Sequence, residues 1–362
     1  MTPAAPRRSE PPGPLPASAP FPKILLIRFR RIGDIILTTP ALALLKRRLP
    51  NARVTYLVEE PYRRLVEGNP DLDRVLAVPP RQTRRAFVRF LREVRRERYD
   101  VLLDMHGGPR AAWTTLAGGA RLKVGHGIKH KSFLYDLTVP RKGTEGPIHS
   151  VETHAGLVRA LGIEFGKDDI PPLSLPPARP EETARVEDIV AAAAAAKLVV
   201  VHIGAGNDFR DWGAERLAAL TIKLGDVAGV RVALIGGAGD RGREAEIVRR
   251  LSETRSIPLA GRLNLIEIRE LIARAALFVG PDSGPMHIAA STATPIVAYF
   301  GPTLPAHFGP WRPGVDPAKT VILQKDLTCR PCRQRECVTA DFSCLRAITP
   351  DEVFAACRLF LL

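Results

Sequence analysis

Short apolar segments alternate with amphipathic segments along most of the chain. In the first half, the apolar segment KILLIRF (23–29) precedes a helical pattern, GDIILTTPALALLKRRLP (33–50). The same alternation continues through ARVTYLV (52–58), a helix near 61–68, DRVLAVP (73–79), a helix at 83–97 and YDVLLDM (99–105). Apolar runs of this length between helical patterns are typical of parallel strands that are covered by helices on both faces.

The alternation stops at PPLSLPPARP (171–180), a proline-rich segment that suits an interdomain linker, and then restarts. The pattern predicts helices at 181–196, 213–225, 241–254, 264–275 and 284–291, and strands at LVVVHIG (198–204), VRVALIGG (230–237), IPLAG (257–261), ALFVG (276–280) and PIVAYFG (295–301). We expect an α/β fold with two Rossmann-like domains, 23–175 and 176–345, that face each other across a cleft. A last amphipathic helix, 346–362, is expected to return to the N-terminal domain.

Composition narrows the class of protein. The chain of 362 residues contains no stretch that approaches the roughly 20 apolar residues of a membrane span. Its first 22 residues are rich in proline and alanine and lack an apolar centre, so they predict a disordered tail rather than a signal peptide. A cytoplasmic location is expected, in which the five cysteines stay reduced.

Positive charge is concentrated in the first half of the chain. Residues 1–170 hold 30 Lys and Arg against 17 Asp and Glu, whereas the remaining residues hold 23 against 21. This asymmetry indicates a polyanionic partner for the first half, which could be a phosphorylated substrate, an anionic membrane or a nucleic acid. The arginine-rich helix 83–97 is either a solvated outer helix or a contact with lipid headgroups. Its basic face lacks the aromatic residues that stack on single-stranded nucleic acid.

The segment VGPDSGPMHIAA (279–290) places several polar side chains at one strand-to-helix junction. Ser283 and Pro285 alone would suit an ordinary N-cap and first helical turn. A cap needs neither Asp282 nor His287, however. A helix start with Gly284 beside it attracts phosphate, and His287 can add a donor, while Asp282 can accept hydrogen bonds from sugar hydroxyls. A phosphorylated sugar or a nucleotide sugar satisfies all of these groups.

Two glycine-rich loops belong to the same predicted sheet. In GAGNDFRDW (204–212), Gly204 and Gly206 permit close approach of a ligand and Arg210 can neutralise a diphosphate, while Trp212 is expected to pack internally. The loop GGAGDRG (236–242) contains Gly237 within a formal GxGxxG pattern. The next predicted strand lacks the acidic residue that a dinucleotide fold requires, so no nicotinamide cofactor is expected.

The corresponding loop of the first domain is RFRRIGDIILTTP (28–40). Gly33 frees the turn, and Asp34 follows where the helix begins. Asp34 either caps that helix or acts as a general base towards an acceptor hydroxyl. Arg28, Arg30 and Arg31 surround it and would attract an anionic acceptor.

Four of the cysteines, Cys329, Cys332, Cys337 and Cys344, follow the spacing C-x2-C-x4-C-x6-C. This spacing is tight for tetrahedral zinc, whose paired cysteines usually come from two separate knuckles. We expect reduced thiols that structure a loop, and no metal.

The motifs RIGDIILTTPAL, VGPDSGPMHIA, YFGPTLP and CRPC…C…C, taken in this order, resemble glycosyltransferase family 9, the ADP-heptose:lipopolysaccharide heptosyltransferases. The resemblance implies a GT-B fold, a membrane-peripheral enzyme and an inverting transfer that needs neither metal nor cofactor. Asp34 matches the family's general base, and Asp282, Ser283, Gly284 and His287 match its donor-binding segment. Glu244 lies near a position that binds the adenosine ribose in some members.

One position departs from the family pattern. Arg210 stands where heptosyltransferases have the lysine of K-x-W, which keeps the charge but changes its geometry.

The sequence therefore predicts transfer of heptose from ADP-heptose to the lipopolysaccharide inner core, on the cytoplasmic face of the inner membrane. The acceptor would be an anionic glycolipid, Kdo–lipid A or a heptosylated form of it. One alternative is transfer of another nucleotide-activated sugar to a surface polysaccharide or glycoprotein. A second is a nucleic-acid-binding protein that uses the basic half, but this does not explain Asp34, Asp282 and His287, so no nucleic acid partner is expected.

Overall fold

The computed structural model describes residues 22–128, 130–140, 147–193, 196–250 and 256–361. The chain divides into two compact units, Met1–Pro171 and Pro172–Leu362. The division falls at the start of the proline-rich segment, whereas the sequence placed it after residue 175. Apart from Pro22, the predicted N-terminal tail lies outside the described residues.

The described residues of the first unit form a six-stranded parallel sheet with the strand order β3-β2-β1-β4-β5-β6. Its strands are β1 (Lys23–Ile27), β2 (Arg53–Glu59), β3 (Arg74–Val78), β4 (Val101–Asp104), β5 (Leu122–His126) and β6 (Leu137–Val139). Its helices are α1 (Ile32–Ile36), α2 (Thr39–Arg48), α3 (Arg84–Arg96), α4 (Pro109–Gly118) and α5 (Ser150–Arg159), with 3-10 turns at Glu60–Leu65 and Ser132–Leu134.

The described residues of the second unit form another six-stranded parallel sheet, with the order β12-β11-β10-β7-β8-β9. Its strands are β7 (Lys197–His202), β8 (Val230–Ile235), β9 (Ser256–Pro258), β10 (Leu277–Pro281), β11 (Ile296–Phe300) and β12 (Thr320–Gln324). Its helices are α6 (Pro180–Ala192), α7 (Ala214–Gly225), α8 (Arg241–Arg249), α9 (Leu265–Ala273), α10 (Gly284–Ala290), α11 (Pro305–Phe308), α12 (Ser343–Arg346) and α13 (Pro350–Leu361). Short 3-10 turns lie at Asp208–Arg210, Ala238–Asp240 and Pro317–Lys319.

Both sheets have the doubly wound topology that the alternation of apolar and amphipathic segments predicts. In each, the chain starts at a central strand, moves outward on one side and then crosses back to the other side. The connections leave in opposite directions from the neighbouring strands β1 and β4 in the first unit, and from β7 and β10 in the second. Open α/β sheets bind ligands outside the carboxyl ends of such a strand pair.

The central strands are apolar on both faces, because helices cover each sheet from both sides. Residues 24–27 of β1 and 199–201 of β7 are completely buried. Trp212 also lies in the core: its ring centroid is 4.7 Å from that of Tyr299, and its indole N–H donates to the Ile348 carbonyl at 2.9 Å. The predicted α/β class is confirmed.

Three local predictions were wrong. The single helix expected over 33–50 is two helices, because Pro40 has no backbone N–H to continue the hydrogen-bond ladder and stands in the first turn of α2. The helix expected near 61–68 is a 3-10 turn. The C-terminal helix α13 packs within the second unit, on α7, β10 and β11, since its apolar face, including Val353 and Cys357, joins that unit's core.

Candidate active site

The junction between β1 and α1 places Asp34 in the first turn of a helix, at the carboxyl end of a central strand. One carboxylate oxygen lies 2.7 Å from Arg28 Nη2, and the other accepts the Arg31 backbone N–H at 3.3 Å. Asp34 therefore has the local capping contact considered from sequence, and it is also oriented by an ion pair. The aspartate side chain is 38% exposed while that of Arg28 is 7% exposed. The carboxylate is thus the accessible member of this pair.

The predicted acceptor-binding residues fall into two groups. Arg28 is buried, and its guanidinium also donates to the Met105 carbonyl at 2.5 Å, so it fixes the position of Asp34. Arg30 and Arg31 are exposed, and Gly33 is partly exposed beside Asp34. Direct contact of these residues with an acceptor stays a prediction.

A second carboxylate, Asp104, lies beside this junction and was missed from sequence. It ends β4, and its oxygens accept the His106 and Gly107 backbone N–H groups at 2.8 Å each and the Tyr135 hydroxyl at 2.6 Å. Burial raises the pKa of Asp104, against the effect of these donors. Its position at the end of YDVLLDM could have revealed it, since β4 adjoins β1. With three donors and a buried side chain, Asp104 shapes the loop after β4.

The second unit collects its predicted residues at the ends of β7 and β10. Asp282, just after β10, is buried, and its Oδ2 accepts the Thr303 hydroxyl at 2.6 Å and lies 3.4 Å from Arg210 Nη1. Its other oxygen lies 4.0 Å from His287 Nε2. The structure therefore brings Arg210, Asp282 and His287 together. Thr303 was missed from sequence, although the strand it follows, β11, pairs with β10.

In the Arg210–Asp282 pair, the exposed and the buried partner are exchanged relative to the Arg28–Asp34 pair of the first unit. Here the carboxylate is 5% exposed and the guanidinium is 28% exposed. The first unit thus presents an anionic oxygen to solvent, and the second presents a cation.

Ser283 occupies the N-cap position of α10 without a capping hydrogen bond from its side chain. Its hydroxyl instead lies 3.0 Å from Nδ1 of His202, the last residue of β7. Burial, and after it the positive charge of Arg243, lowers the pKa of His202 to about 4. His202 is therefore neutral near pH 7 and ties the start of α10 to β7. Ser283, which was expected to cap α10, thus links the segment after β10 to the end of β7.

The remaining predicted donor-site residues line the neighbouring loops. A Cβ on Gly204 would lie 2.5 Å from Asp240 Oδ2, so a side chain there would displace Asp240, whereas Gly206 has open space around it. The Gly237 backbone N–H donates to Asp240 at 2.7 Å. Glu244 is buried, and its carboxylate accepts the Ala260 backbone N–H at 2.7 Å. A contact of Glu244 with a ribose stays a prediction.

The cysteine-rich segment contributes a residue that the sequence did not single out. The Gln334 amide oxygen accepts hydrogen bonds from Asn207 at 3.0 Å and from Arg210 Nε at 3.3 Å. Gln334 has a left-handed backbone, with φ of 52°, which turns the segment towards the 204–212 loop. Arg210 is therefore held from two sides, by Asp282 and by Gln334.

The four clustered cysteines are partly buried thiols. The Sγ of Cys337 accepts the Phe342 backbone N–H at 3.3 Å, and burial raises the pKa of Cys344. Within the described ranges, no group of three or more His, Cys, Asp or Glu side chains is arranged to hold a metal ion.

Solved structures show the class of fold. A glycosyltransferase family 9 protein from Veillonella parvula is 22% identical, with a TM-score of 0.79 over 94% of this chain and 97% of that one. The ADP-heptose lipopolysaccharide heptosyltransferase II of Escherichia coli is 24% identical, with a TM-score of 0.76 over 94% and 98% of the two chains. The two units are thus the paired Rossmann-type domains of the GT-B fold.

The sequence comparisons give the family. The model of glycosyltransferase family 9 (heptosyltransferase) matches residues 87–342, more than half of the chain, and the chain belongs to this family of enzymes. Among curated relatives, lipopolysaccharide heptosyltransferase 3 of Escherichia coli is 26% identical over 293 residues, which span 77% of this chain and 83% of the relative. No described helix is long and apolar enough to cross a membrane.

Proposed function

We propose that this enzyme transfers heptose from ADP-heptose to an anionic inner-core lipopolysaccharide acceptor, Kdo–lipid A or a heptosylated form, with inversion and without a metal ion. The observation that carries the proposal is that the carboxylate is the exposed partner of one ion pair and the guanidinium is the exposed partner of the other. Asp34 offers an accessible carboxylate oxygen, and Arg210 offers an accessible guanidinium. A glycosyl transfer needs both: a base for the acceptor hydroxyl and a cation for the departing diphosphate.

In the donor site, the diphosphate lies at the start of α10, against Arg210 and His287. Asp282 and Gln334 orient the Arg210 guanidinium, because both accept hydrogen bonds or an ion pair from it. The glycine-rich loops beside them leave space for the nucleotide. Positive charge at this point stabilises the charge that builds on ADP as the bond to the anomeric carbon breaks.

In the acceptor site, Asp34 Oδ takes the proton of the acceptor hydroxyl as that oxygen attacks the anomeric carbon from the face opposite ADP. A new glycosidic C–O bond forms, the bond to the diphosphate breaks, and ADP leaves with its electron pair. Arg28 keeps Asp34 in one orientation, and so contributes to the rate by positioning. Arg30 and Arg31 attract the phosphorylated acceptor.

Asp34→Asn tests the proposed base. The amide keeps the shape of the side chain but cannot accept the proton, so kcat should fall by about 10²- to 10⁴-fold while ADP affinity stays the same. Asp168→Asn, an exposed aspartate of the same unit, is the matched control and should keep normal turnover. Near-normal turnover of Asp34→Asn would remove this residue from the mechanism.

Calorimetry with ADP tests the donor site. Arg210→Ala and His287→Ala should each weaken binding, whereas Arg250→Ala, at the exposed end of α8, should not. Arg210→Lys should retain part of the affinity, because it restores the charge without the planar guanidinium. Unchanged affinity in both alanine variants would place the diphosphate elsewhere.

The Arg210 departure from the family lysine favours a second candidate, transfer of a different nucleotide-activated sugar. A thermal-shift screen of ADP-, GDP- and UDP-sugars separates the two, since only a nucleotide that binds the folded state raises Tm. In either case, we place the enzyme in the cytoplasm, at the cytoplasmic face of the inner membrane where lipid-linked acceptors are reached.

A further inference from the structure

The large apolar side chains that are exposed in the described part of the first unit lie on three neighbouring elements. Among its described residues, the large hydrophobic side chains that are exposed are Val88 on α3, Trp113 and Leu116 on α4, and Phe133 in the 3-10 turn 132–134. Trp113 is 59% exposed, Leu116 56% and Phe133 81%. Large apolar side chains that cluster on a surface mark an interaction site, whereas scattered ones need no explanation.

The three elements that carry these side chains are neighbours. Helix α4 packs on α3 and also contacts the 3-10 turn. A Cβ built on Gly119, at the end of α4, would lie 3.3 Å from Arg95 Nη1, which places this α3 side chain over the end of α4. Lys131 Nζ donates to the Gly107 carbonyl at 3.0 Å, which ties the turn to the loop before α4. We call the exposed side of α3, α4 and 132–134 the apolar-basic face.

Helix α3 brings positive charge to this face. Helix α3 exposes six arginines and carries Glu93 as its acidic residue, and α4 carries neither Asp nor Glu. Val88 lies among the arginines on the solvent side of α3, away from the buried Phe90 and Val94. Aromatic and aliphatic side chains beside an arginine-rich helix are typical of surfaces that bind at the interface of an anionic bilayer.

We propose that the apolar-basic face docks the enzyme on an anionic phospholipid bilayer. Trp113, Leu116 and Phe133 enter the boundary between headgroups and acyl chains, and the arginines of α3 pair with headgroup phosphates. Val88 and Leu116 favour this occupant over single-stranded nucleic acid, because aliphatic side chains offer no ring for a base to stack on. The inference rests on the proposed function in one respect: a lipid-linked acceptor gives the enzyme a reason to reach the membrane.

Vesicle partitioning tests the proposal on the full-length protein. Vesicles of phosphatidylethanolamine and phosphatidylglycerol should bind it, and vesicles of phosphatidylcholine alone should bind it weakly. Trp113→Gln/Leu116→Gln should lower the partition coefficient by about tenfold or more, since the two side chains no longer bring apolar area out of water. Arg85→Gln/Arg92→Gln should lower it by about tenfold at low salt and have less effect at high salt.

Matched controls come from the second unit. Val338→Gln/Leu359→Gln removes two side chains that are 82% and 72% exposed, and Arg249→Gln/Arg250→Gln removes two exposed charges. Both controls should bind vesicles as the unaltered protein does. Lipids brominated in their chains should quench Trp113 emission, and this quenching should disappear in Trp113→Phe.

The outcomes separate this inference from the proposed function. Turnover of a soluble, deacylated acceptor should be unchanged in Trp113→Gln/Leu116→Gln, while turnover of the same acceptor embedded in vesicles should fall with the partition coefficient. Equal vesicle binding by this variant and its control would overturn the docking face, even if heptose transfer is normal. A dimer or an oligonucleotide complex that the same substitutions abolish, without vesicle binding, would also overturn it. Absence of transfer to any acceptor, with vesicle binding intact, would reject only the proposed function.

Discussion

Replacing His202 tests how the second unit holds its proposed donor site together. The imidazole is buried at the end of β7 and contacts Ser283 at the start of α10. Burial favours the neutral ring in the folded state, so the unfolded chain takes up the proton first as the pH falls. The stabilisation is therefore complete above the ordinary pKa of 6.5 and is lost as the pH falls towards the folded-state pKa of about 4.

The size of this effect follows from the two pKa values. Each pKa unit corresponds to about 1.36 kcal/mol, so the full difference between 6.5 and about 4 represents about 3 kcal/mol. Between about pH 8 and about pH 5, the free energy of unfolding should fall by about 2 kcal/mol on account of this residue. In a unit of this size that loss corresponds to a decrease in Tm of about 4–8 °C.

The assay is urea unfolding at a series of pH values, followed by tryptophan emission in a Trp113→Phe/Trp311→Phe background, which leaves Trp212, buried in the same unit, as the reporter. His202→Gln removes the titrating ring and keeps a polar side chain. Over this pH range, the free energy of unfolding of the variant should therefore fall by about 2 kcal/mol less than that of the unaltered protein. His130→Gln, an exposed position in the first unit, is the control and should keep the original pH dependence. If His202→Gln and the unaltered protein lose the same stability on acidification, the reasoning is refuted.

Two further predictions address residues that the sequence did not reveal. Gln334→Gly relieves a left-handed backbone while it removes the hydrogen bond to Arg210, so Tm should stay nearly constant and ADP affinity should fall about fivefold. Gln334→Asn, whose side chain is too short to reach Arg210, should lower ADP affinity to the same extent. Unchanged ADP affinity in both variants would exclude a positioning role for Gln334. Asp104→Asn keeps the oxygen that accepts the two backbone N–H groups but replaces the one that accepts the Tyr135 hydroxyl, so it should lower the free energy of unfolding by about 1 kcal/mol and leave most turnover intact. A loss of turnover above 100-fold at constant stability would show that Asp104 takes part in the reaction itself.

Sequence periodicity predicts this fold well where strands are central. β1, β4, β7 and β10 are buried on both faces, and a continuous apolar run is what such strands require. The edge strands of the sheets were harder to predict from the sequence. β6 and β9 are three residues each, and β12 is at most partly buried, so no long apolar run marks them. Of these three strands, only β9 was predicted, from IPLAG (257–261). Helix α4 was also missed, because its exposed Trp113 and Leu116 obscure the usual alternation of buried and exposed positions.

The candidate site could be predicted where its residues follow a strand directly. Asp34, Arg210 and Asp282 each lie just beyond the carboxyl end of a central strand, and parallel topology brings such positions to one edge within each sheet. Gln334 could not be found in this way. It lies in a segment without strands, far along the chain from Arg210, and its approach depends on a turn that no periodicity encodes. Thr303 is an intermediate case: it lies in the YFGPTLP motif, but only the pairing of β10 with β11 places it beside Asp282.

Each unit has an arginine in contact with an aspartate, but burial leaves a different partner exposed in each, and we propose opposite roles for the two pairs. Each central junction carries one arginine and one aspartate in contact, so the sequence alone would give both the same chemistry. Arg28 precedes its helix and is buried behind Asp34, where the Met105 carbonyl fixes it, so the carboxylate faces solvent. Asp282 is covered by Thr303, so the guanidinium of Arg210 faces solvent instead. A carboxylate with one accessible oxygen suits proton removal, and an accessible guanidinium suits a diphosphate. In the proposed mechanism, the base and the leaving-group site therefore differ in which partner of the ion pair the local packing covers, a property of the fold and not of the motif.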